Sequence, residues 1–443
     1  MIAAEVRNIE KRFKWFNHIP SNWEVMRLKN ICDGKLQYGI NIPANKYSDD
    51  GVRFLRTTDI NEDGEVIPNG IYIPKKEVPE NYILQKGDLL FSRSGTVGRC
   101  YLHDSDEEYC YAGFLVKFKP KNYLLSKLLY YTSLTKEFKY QIFSEAIEST
   151  ISNFNGNKYA VLRVAFPSDE SELKRLIDYL DFKYAEVKKF IQTKQRFIEL
   201  LKEQRQSIIT NAVTKGIDDG VKMKITGIDW MPEMPAHWEQ YRLRKILKDG
   251  KEGIKIGPFG SSLKLEDLVD KGFRVYGQEN IINDNFSLGK RFLTETKFKE
   301  LSVYEIFPND ILITMMGTTG KCKVVPLDVE KGIMDSHLIR IRIKEELYIP
   351  ELLALIINES YFVKFQFQVT SKGSIMSGLN SSIVKNLTLF VPSIIEQKRI
   401  LEHIKTETRM LDIAISKAER EIELIKEYRE AMIAEAVTGK IKL

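Results

Sequence analysis

Residues 170–214 have the sequence ESELKRLIDYLDFKYAEVKKFIQTKQRFIELLKEQRQSIITNAVT. Apolar residues recur in this stretch at steps of three and four, which is the spacing of a helix that packs along its length on another helix. The series is interrupted only at Lys194 and Arg205, and its members are Ile177, Leu180, Tyr184, Val187, Ile191, Ile198, Leu201 and Ile208. At a rise of about 1.5 Å per residue the helix would be roughly 65 Å long, which exceeds an ordinary core helix.

The C-terminal residues repeat this pattern. The corresponding apolar positions are Leu401, Ile404, Leu411, Ile415, Ala418, Ile422, Ile425 and Met432. Thr408 is the polar exception, and Arg429 falls where Arg205 falls, 224 positions earlier. Both stretches end in Ala-Val-Thr, at Thr214 and at Thr438. These matches predict an internal duplication in which the two long helices form an antiparallel coiled-coil pair.

A tryptophan string precedes each half of the duplication. The pattern W-x4-P-x2-W-E-x2-R-L begins at Trp15 and again at Trp230, and the two copies contain all four tryptophans of the chain. We interpret the strings as packing anchors between a globular domain and a long helix. After each string the sequence alternates short apolar runs with turn residues, which is typical of β-strands joined by loops.

The predicted fold class is therefore α+β. Two similar β-rich α/β globular domains are separated by the antiparallel pair of long helices, and the duplication gives a pseudo-two-fold arrangement. The predicted boundaries are an N-terminal helical segment 1–16, a first globular domain 17–167, central helix 168–216, linker 217–229, a second globular domain 230–392 and C-terminal helix 393–443.

Composition narrows the class of protein. The chain has 443 residues, 43% of them hydrophobic, and a formal net charge of +6, which permits a polyanionic partner without requiring one. Its four cysteines and five histidines are scattered, which argues against a disulfide framework and against a zinc site. No apolar run reaches about 18 residues and no signal peptide opens the sequence, so we expect a cytoplasmic protein without a membrane segment.

Enzymatic motifs are missing from the sequence. It has no GxGxxG string, and the sequence around Gly320-Lys321-Cys322 lacks the first glycine and the Ser/Thr of a P-loop. Asp59, Glu62 and Asp63 could hold a metal, but a solvated turn at Asp63-Gly64 explains them better. We predict a protein without catalytic residues, bound metal or cofactor of its own.

Paired Gly-Thr-x-Gly loops carry the candidate binding chemistry. The first spans Gly95–Gly98 and the second spans Gly317–Gly320, and each follows an apolar strand and lies next to cations. Glycines let backbone amides approach a phosphate, and Thr, Ser and Arg donate to phosphates or base edges. A tight turn between strands would explain the glycines equally well. The flanking side chains differ between the copies, which suits two domains that recognise two different sequences.

Polar residues in these loops and in neighbouring loops are the candidate DNA-binding residues. They are Arg56, Thr57, Thr58, Arg93, Ser94, Thr96, Arg99, Asn153, Asn155, Gln278, Asn280, Thr318, Thr319, Lys321, Ser371, Lys372, Ser374 and Asn380. Four cations of the central helix, Lys188, Lys189, Arg196 and Lys202, are interpreted as a solvated face. Arg205 and Arg429 are expected to lie over the partner helix or to pair with a carboxylate.

The arrangement resembles the specificity subunit of Type I restriction-modification enzymes. The marks of this resemblance are the paired tryptophan strings, the strand entries at Gly87–Leu90 and Asn309–Leu312, the Gly-Thr-x-Gly loops and the Ala-Val-Thr endings. The resemblance implies a non-catalytic subunit whose two target recognition domains each recognise one half of a bipartite site in double-stranded DNA. It also implies two methyltransferase (modification) subunits and restriction subunits as partners, with S-adenosylmethionine, ATP and magnesium bound by those partners.

Two alternatives belong to other classes of protein. A non-enzymatic protein–protein scaffold built on a coiled-coil pair would have similar long helices and a similar net charge. A fused nuclease or methyltransferase is disfavoured by the missing motifs.

Overall fold

The computed structural model describes residues 19–146, 154–229, 231–250, 252–259, 262–371 and 379–442. The chain divides into two compact units: unit 1 contains Met1–Gln195 and Glu419–Leu443, and unit 2 contains Arg196–Ala418. Each unit holds one globular domain, the beginning of one long helix and the end of the other. The predicted helical segment 1–16 lies outside the described residues.

The described residues of unit 1 form nine strands around its globular core. The strands are β1 (Trp23–Arg27), β2 (Cys32–Tyr38), β3 (Val52–Leu55), β4 (Ile71–Ile73), β5 (Leu89–Ser92), β6 (Cys100–Leu102), β7 (Tyr109–Tyr111), β8 (Leu115–Pro120) and β9 (Arg163–Pro167). Its helices are α1 (Leu28–Ile31), α2 (Tyr123–Ser133), α3 (Lys136–Ala146), α4 (Gly156–Val161) and the start of α5 (Glu170–Lys215). The sheets have the orders β2-β8-β5-β6, β4-β3-β7 and β1-β9.

Unit 2 repeats these sheets with small additions. Its strands are β10 (Met223–Ile228), β11 (Met231–Pro235), β12 (Glu239–Arg242), β13 (Ile254–Ile256), β14 (Leu268–Val269), β15 (Phe273–Tyr276), β16 (Phe292–Leu293), β17 (Ile311–Thr314), β18 (Cys322–Val324), β19 (Gly332–Met334), β20 (Leu338–Ile341) and β21 (Thr388–Val391). Its helices are α6 (Leu243–Ile246), α7 (Gln278–Ile282), α8 (Glu295–Glu300), α9 (Pro350–Glu359), α10 (Tyr361–Ser371), α11 (Ser381–Lys385) and the start of α12 (Ile394–Val437). The sheets have the orders β13-β20-β17-β18, β14-β16-β15-β19, β12-β21 and β10-β11.

The two domains share one topology. In each, a four-stranded antiparallel sheet lies beside a small mixed sheet in which one strand pair is parallel, β3 with β7 and β15 with β19. The predicted α+β fold with two similar domains is therefore confirmed. The predicted linker 217–229 is wrong in its second half, because β10 pairs with β11 in an antiparallel hairpin and leaves 217–222 as the connection.

Both long helices are continuous, and they pack antiparallel within each unit. In unit 1 the start of α5 packs on the end of α12, where Leu176 and Leu180 share a core with Ile433 and Ala436. In unit 2 the end of α5 packs on the start of α12 through the cluster that contains Ile209, Ala212, Val213, Ile400 and Ile404. The predicted heptad position Ile208 is wrong: Ile209 is the fully buried residue, because this last part of α5 also contacts the core of the globular domain.

The tryptophan strings are packing anchors, as predicted. The indole Nε1 of Trp23 donates to Glu172 in the first turn of α5 (2.8 Å), and that of Trp238 donates to Glu396 at the start of α12 (2.8 Å). Trp238 is fully buried. Trp15 and Trp230 lie outside the described residues.

The two matching arginines of the long helices pair with carboxylates, as predicted. Arg205 binds Asp412 (2.7 Å) and Glu359 (3.1 Å), and Arg429 binds Asp63 and lies over the ring of Tyr184 (5.5 Å). Each arginine thus joins the helix pair of its unit to the globular domain.

A neighbouring lysine corrects the interpretation of the helix surface. Lys188 is not simply solvated, because its ammonium pairs with Glu65 of the globular domain (2.5 Å).

Candidate nucleic-acid interface

The parallel strand pair of unit 1 ends at one edge of its sheet. Leu55 lies opposite Tyr111 at the carboxyl ends of β3 and β7, and the next residue, Ala112, donates its N–H to the Leu55 carbonyl (2.8 Å). Residues 56–59 and 112–114 therefore leave the sheet side by side. Carboxyl ends of neighbouring parallel strands are a common place for ligand-binding loops, because the chain must change direction there.

Two further segments join this edge. The N–H of Arg93 donates to the Phe114 carbonyl (2.9 Å), and the Arg93 carbonyl accepts from Phe154 N–H (2.8 Å). Segments 56–59, 93–99, 112–114 and 154–156 thus form one continuous surface, which we call the loop face of unit 1.

Unit 2 builds its loop face from the equivalent segments 277–280, 315–321, 335–337 and 379–381. The N–H of Asp335 donates to the Tyr276 carbonyl (2.8 Å), and the N–H of Met315 donates to the His337 carbonyl (2.9 Å). The Met315 carbonyl accepts from Leu379 N–H (3.1 Å). These are the hydrogen bonds of unit 1 at equivalent positions.

The Gly-Thr-x-Gly loops are tight turns held by one hydroxyl each. Ser92 Oγ donates to the Thr96 carbonyl in unit 1, and Thr314 Oγ1 donates to the Thr318 carbonyl in unit 2. The loop glycines have positive φ, for example +94° at Gly98 and +80° at Gly320, a conformation that side chains rarely adopt. The structure therefore explains these glycines by the turn, and the loops project their other side chains.

The predicted site residues of unit 1 lie on its loop face with defined partners. Arg56 donates to the buried Asp59 (2.8 Å), and Arg99 donates to the Ile60 carbonyl (2.7 Å). The guanidinium of Arg93 lies over the Tyr38 ring (5.0 Å). The remaining predicted residues of this face are Thr57, Ser94 and Thr96, which are half-buried, Thr58, which is exposed, and Asn155, whose Oδ1 caps α4.

In unit 2 most predicted residues are exposed on the loop face. Gln278 accepts from the N–H of Met316 (3.3 Å), which joins two of the segments. Thr318, Thr319 and Lys321 are exposed. Asn380 is exposed and caps α11 through Ile383 N–H (3.0 Å).

Asn280 requires a correction. It is buried, its Oδ1 accepts from Gly277 N–H (2.8 Å), and its amide donates to the carbonyls of Asn285 and Leu288. Its side chain shapes the loop and is not presented to a ligand. Ser371 is the last residue of α10, while Asn153, Lys372 and Ser374 lie outside the described residues.

Sequence reasoning missed several side chains of the loop faces. Phe114, 58% exposed, and the exposed His337 occupy equivalent turns after β7 and β19. Tyr38 supports Arg93, while Arg291 and Glu279 form an ion pair in unit 2 (2.6 Å). These side chains come together because β3 pairs in parallel with β7, and β15 with β19. An alignment of the two sequence repeats does not reveal these pairings.

Two of the acidic residues considered as metal ligands, Asp59 and Asp63, are engaged in ion pairs. Asp59 is paired with Arg56, and Asp63 is paired with Arg429. Among the residues that the structure describes, no group of three or more His, Cys, Asp or Glu side chains is placed to hold a metal ion.

Comparison with known proteins agrees with this architecture. The sequence model of the family described as "Type I restriction modification DNA specificity domain" matches residues 20–196 and 255–424, more than half of the chain. The chain belongs to this family. The two matched ranges cover the first globular domain, the second globular domain from residue 255 onward, and large parts of both long helices.

Curated relatives match over nearly the full length. The Type I restriction enzyme StySPI specificity subunit of Salmonella potsdam is 19% identical over 440 residues, which cover 96% of this chain and 90% of the relative. The putative type I restriction enzyme MjaX specificity subunit of Methanocaldococcus jannaschii is 23% identical over 451 residues, which cover 98% and 97%.

A solved structure shares the fold. A chain from work on complex assembly and conformational transition of the type I R-M system superposes with a TM-score of 0.64 at 13% identity, covering 96% of this chain and 99% of that one. Within the described ranges, no helix is both long and apolar enough to span a membrane.

Proposed function

We propose that this chain is the DNA sequence-recognition subunit of a Type I restriction-modification complex. One observation carries the proposal beyond family membership. The same four-segment loop face is built twice on the same backbone hydrogen bonds, but it presents different side chains in the two units. A duplicated scaffold with unlike surfaces is what two different half-sites require.

Each unit would recognise one half of a bipartite site in double-stranded DNA. Cations at the loop faces, such as Arg93 and Lys321, would contact phosphates or base edges, which gives salt-dependent affinity and sequence discrimination respectively. The long helices would set the distance between the two half-sites. Half-sites on one face of DNA recur about every 34 Å, within reach of helices of this length.

The chemistry would belong to partner subunits. We expect two methyltransferase subunits to dock on the helix-based scaffold, and restriction subunits to join that complex. S-adenosylmethionine, ATP and magnesium would bind to those partners, and this chain would contribute recognition without catalysis.

A domain exchange tests the proposal. Residues 17–167 are replaced by the corresponding domain of a relative, the complex is assembled with its methyltransferase subunits, and methylated sites are mapped by sequencing the host genome. We expect one half-site to change while the other half-site and the spacer stay the same.

The reciprocal exchange of residues 230–392 is the matched control and should change the other half-site. If both half-sites change in either exchange, or if neither changes, modular recognition is wrong. Insertion of seven residues into α5 should lengthen the spacer and leave both half-sites intact; an unchanged spacer would contradict the measuring role of the helices.

A further inference from the structure

An ion pair at the loop face of unit 2, between Glu279 of that face and Arg291 directly beside it, has the chemistry of a base-pair contact. Resting on the proposed function, we propose that Arg291 and Glu279 act together as a donor–acceptor pair that recognises a G·C base pair in the half-site bound by unit 2.

The pair lies where the parallel strands of unit 2 end. Glu279 follows β15 in the first turn of α7, Arg291 directly precedes β16, and Asp335 directly follows β19. The Arg291 guanidinium donates through Nη2 to Glu279 Oε1 (2.6 Å) and through Nη1 to Asp335 Oδ2 (3.0 Å). One guanidinium therefore joins three segments that converge on the loop face.

Gly277 makes room for this cluster. A Cβ atom at Gly277 would lie 2.0 Å from Arg291 Nη2, 2.4 Å from Glu279 Oε2 and 2.7 Å from Asp335 Oδ2. These distances are far below van der Waals contact, and the φ of −122° at Gly277 is open to any residue. A side chain at this position would therefore push the three charged groups out of the positions that they occupy.

Exposure separates the roles of the three side chains. Glu279 is 41% exposed and Arg291 is 32% exposed, while the Asp335 carboxylate is only 9% exposed. Asp335 also accepts from His337 N–H (3.0 Å), so its position is fixed from two sides. Asp335 is thus a positioning residue, and Arg291 and Glu279 present their remaining donors and acceptors to solvent.

The charge of the cluster favours a base edge over the DNA backbone. Two carboxylates beside one guanidinium carry a net negative charge, which repels phosphates. In the major groove, guanine presents two acceptors, N7 and O6, and its partner cytosine presents an amino donor beside them. Arginine matches the guanine acceptors and glutamate matches the cytosine donor. Side by side, Arg291 and Glu279 complement both bases of one pair.

The described part of unit 1 has a different arrangement. At the equivalent edge Arg56 pairs with Asp59, whose carboxylate is completely buried. The guanidinium of that pair reaches the surface and its carboxylate does not, so the pair itself presents a donor without the exposed carboxylate that Glu279 supplies in unit 2. The inference therefore applies to one half-site only.

Two conservative variants test the pair in the complex assembled with methyltransferase subunits. Glu279→Gln keeps the shape and removes the charge, and Arg291→Lys keeps the charge and removes the planar fork. Methylation rates are measured on duplexes that carry every single base-pair change in the site mapped for the unmodified complex. We expect discrimination at one G·C position of one half-site to fall by about 5- to 100-fold in both variants, with the other positions unchanged.

The matched control is Glu295→Gln, which neutralises an exposed glutamate of unit 2 that pairs with Lys299 (2.7 Å) outside the loop face. It should leave the full specificity profile unchanged.

Several results would overturn the inference. These are unchanged discrimination in both variants, a uniform loss at all positions as expected for a phosphate contact, relaxation at an A·T position, or an effect in both half-sites. If the unmodified complex has no defined methylation site, both the proposed function and this inference are wrong. If the unmodified complex has a defined site and both variants keep its full base-pair discrimination, only the inference is wrong.

Discussion

The loop faces of the two units share their backbone and differ in many of the side chains that they project. In unit 1, Arg93 lies over Tyr38 beside the exposed Phe114. Met315 takes the place of Arg93 in unit 2, and His337 takes the place of Phe114, although the same backbone hydrogen bond joins each pair. Main-chain bonds and one buried hydroxyl hold each loop, so the projecting residues are free to vary. This independence lets one fold carry two specificities.

The attachments of the domains to the helices show the opposite behaviour. Trp23 and Trp238 make the same indole–carboxylate bond with Glu172 and Glu396. Arg205 and Arg429 occupy equivalent helix positions and both pair with acidic residues. What connects domain to helix is kept in both copies, because a change there would move the whole loop face. The comparison thus separates positions that hold the scaffold from positions that are free to differ.

The largest effect is expected for Trp238→Ala. Truncating a fully buried tryptophan costs about 3–5 kcal/mol and leaves Glu396 without its indole donor. Hydrogen exchange of β12 and β21 should accelerate strongly. Trp23→Ala is the counterpart: Trp23 is only partly buried, so the change in β1 and β9 should be smaller. Equal effects would contradict the difference in burial.

A smaller effect is expected for Arg429→Met. The change keeps an apolar chain near Tyr184 but removes the partner of Asp63. We expect the free energy of unfolding to fall by about 1–2 kcal/mol, less than for a fully buried ion pair, because the Asp63 side chain is 36% exposed. It should appear as faster hydrogen exchange around residues 61–65. The control Arg420→Met removes an exposed pair with Glu423 on the same helix and should be neutral; a loss equal to that of Arg429→Met would show that the contact with Asp63 is not what matters.

A third prediction exchanges a side chain between the loop faces. Arg93→Met gives unit 1 the residue of unit 2 and should weaken binding to the unit 1 half-site by about tenfold, because the proposed charged contact to DNA would be lost. Binding of the assembled complex is measured on its own site at several salt concentrations. If Arg93 contacts a phosphate, the variant should also lower the slope of log affinity against log salt concentration by about one. If Arg93 contacts a base, the variant should instead relax sequence preference at one position of the half-site. The control Met315→Leu should leave both half-sites intact, and full affinity in Arg93→Met would remove Arg93 from the interface.

The smallest effect concerns pH. Burial lowers the pKa of His103 below its ordinary value, although Asp88 and Asp104 oppose this shift. The folded state therefore favours the neutral imidazole, whose Nδ1 lies 3.1 Å from the Tyr101 hydroxyl. This contribution to stability is complete above the ordinary histidine pKa of about 6.5, and it is lost as the pH falls through the lower folded-state pKa.

Unit 2 provides the control for this prediction. Val325 occupies the equivalent buried position and cannot titrate. The protection of β6 amides, expressed relative to their intrinsic exchange rate at each pH, should fall on acidification below about pH 6.5 more than that of β18 amides, and His103→Val should remove the difference. If the difference persists in the variant, another group is responsible for it.

Much of the scaffold could be predicted from the sequence because it depends on local periodicity. Steps of three and four along α5 and α12, and the repeated tryptophan strings, indicated two long helices and two anchored domains. The prediction of which helix residues are buried was wrong at Ile208, because contacts with the globular domain make Ile209 the buried residue. Such contacts join segments far apart in the chain, so heptad spacing does not contain them.

The binding residues were harder to predict. Asn280 belongs to a residue type that can bind DNA bases, but its amide oxygen and nitrogen form hydrogen bonds within their own loop. Lys188 looked like part of a solvated face, yet Glu65 of the globular domain reaches it. Arg291 and Glu279 are unremarkable in sequence, because 12 positions separate them and their meeting depends on strand pairing and on the space beside Gly277.

The sequence by itself determined the duplication, the two long helices, the anchors and the positions of the glycine turns, since each follows from residues close together in the chain or from a repeat. Only the tertiary structure decided which four segments meet in each loop face, and which polar side chains remain presented after internal hydrogen bonds are made. The physical reason is that side-chain availability depends on neighbours brought together by sheet pairing and packing, and those neighbours lie far apart along the chain.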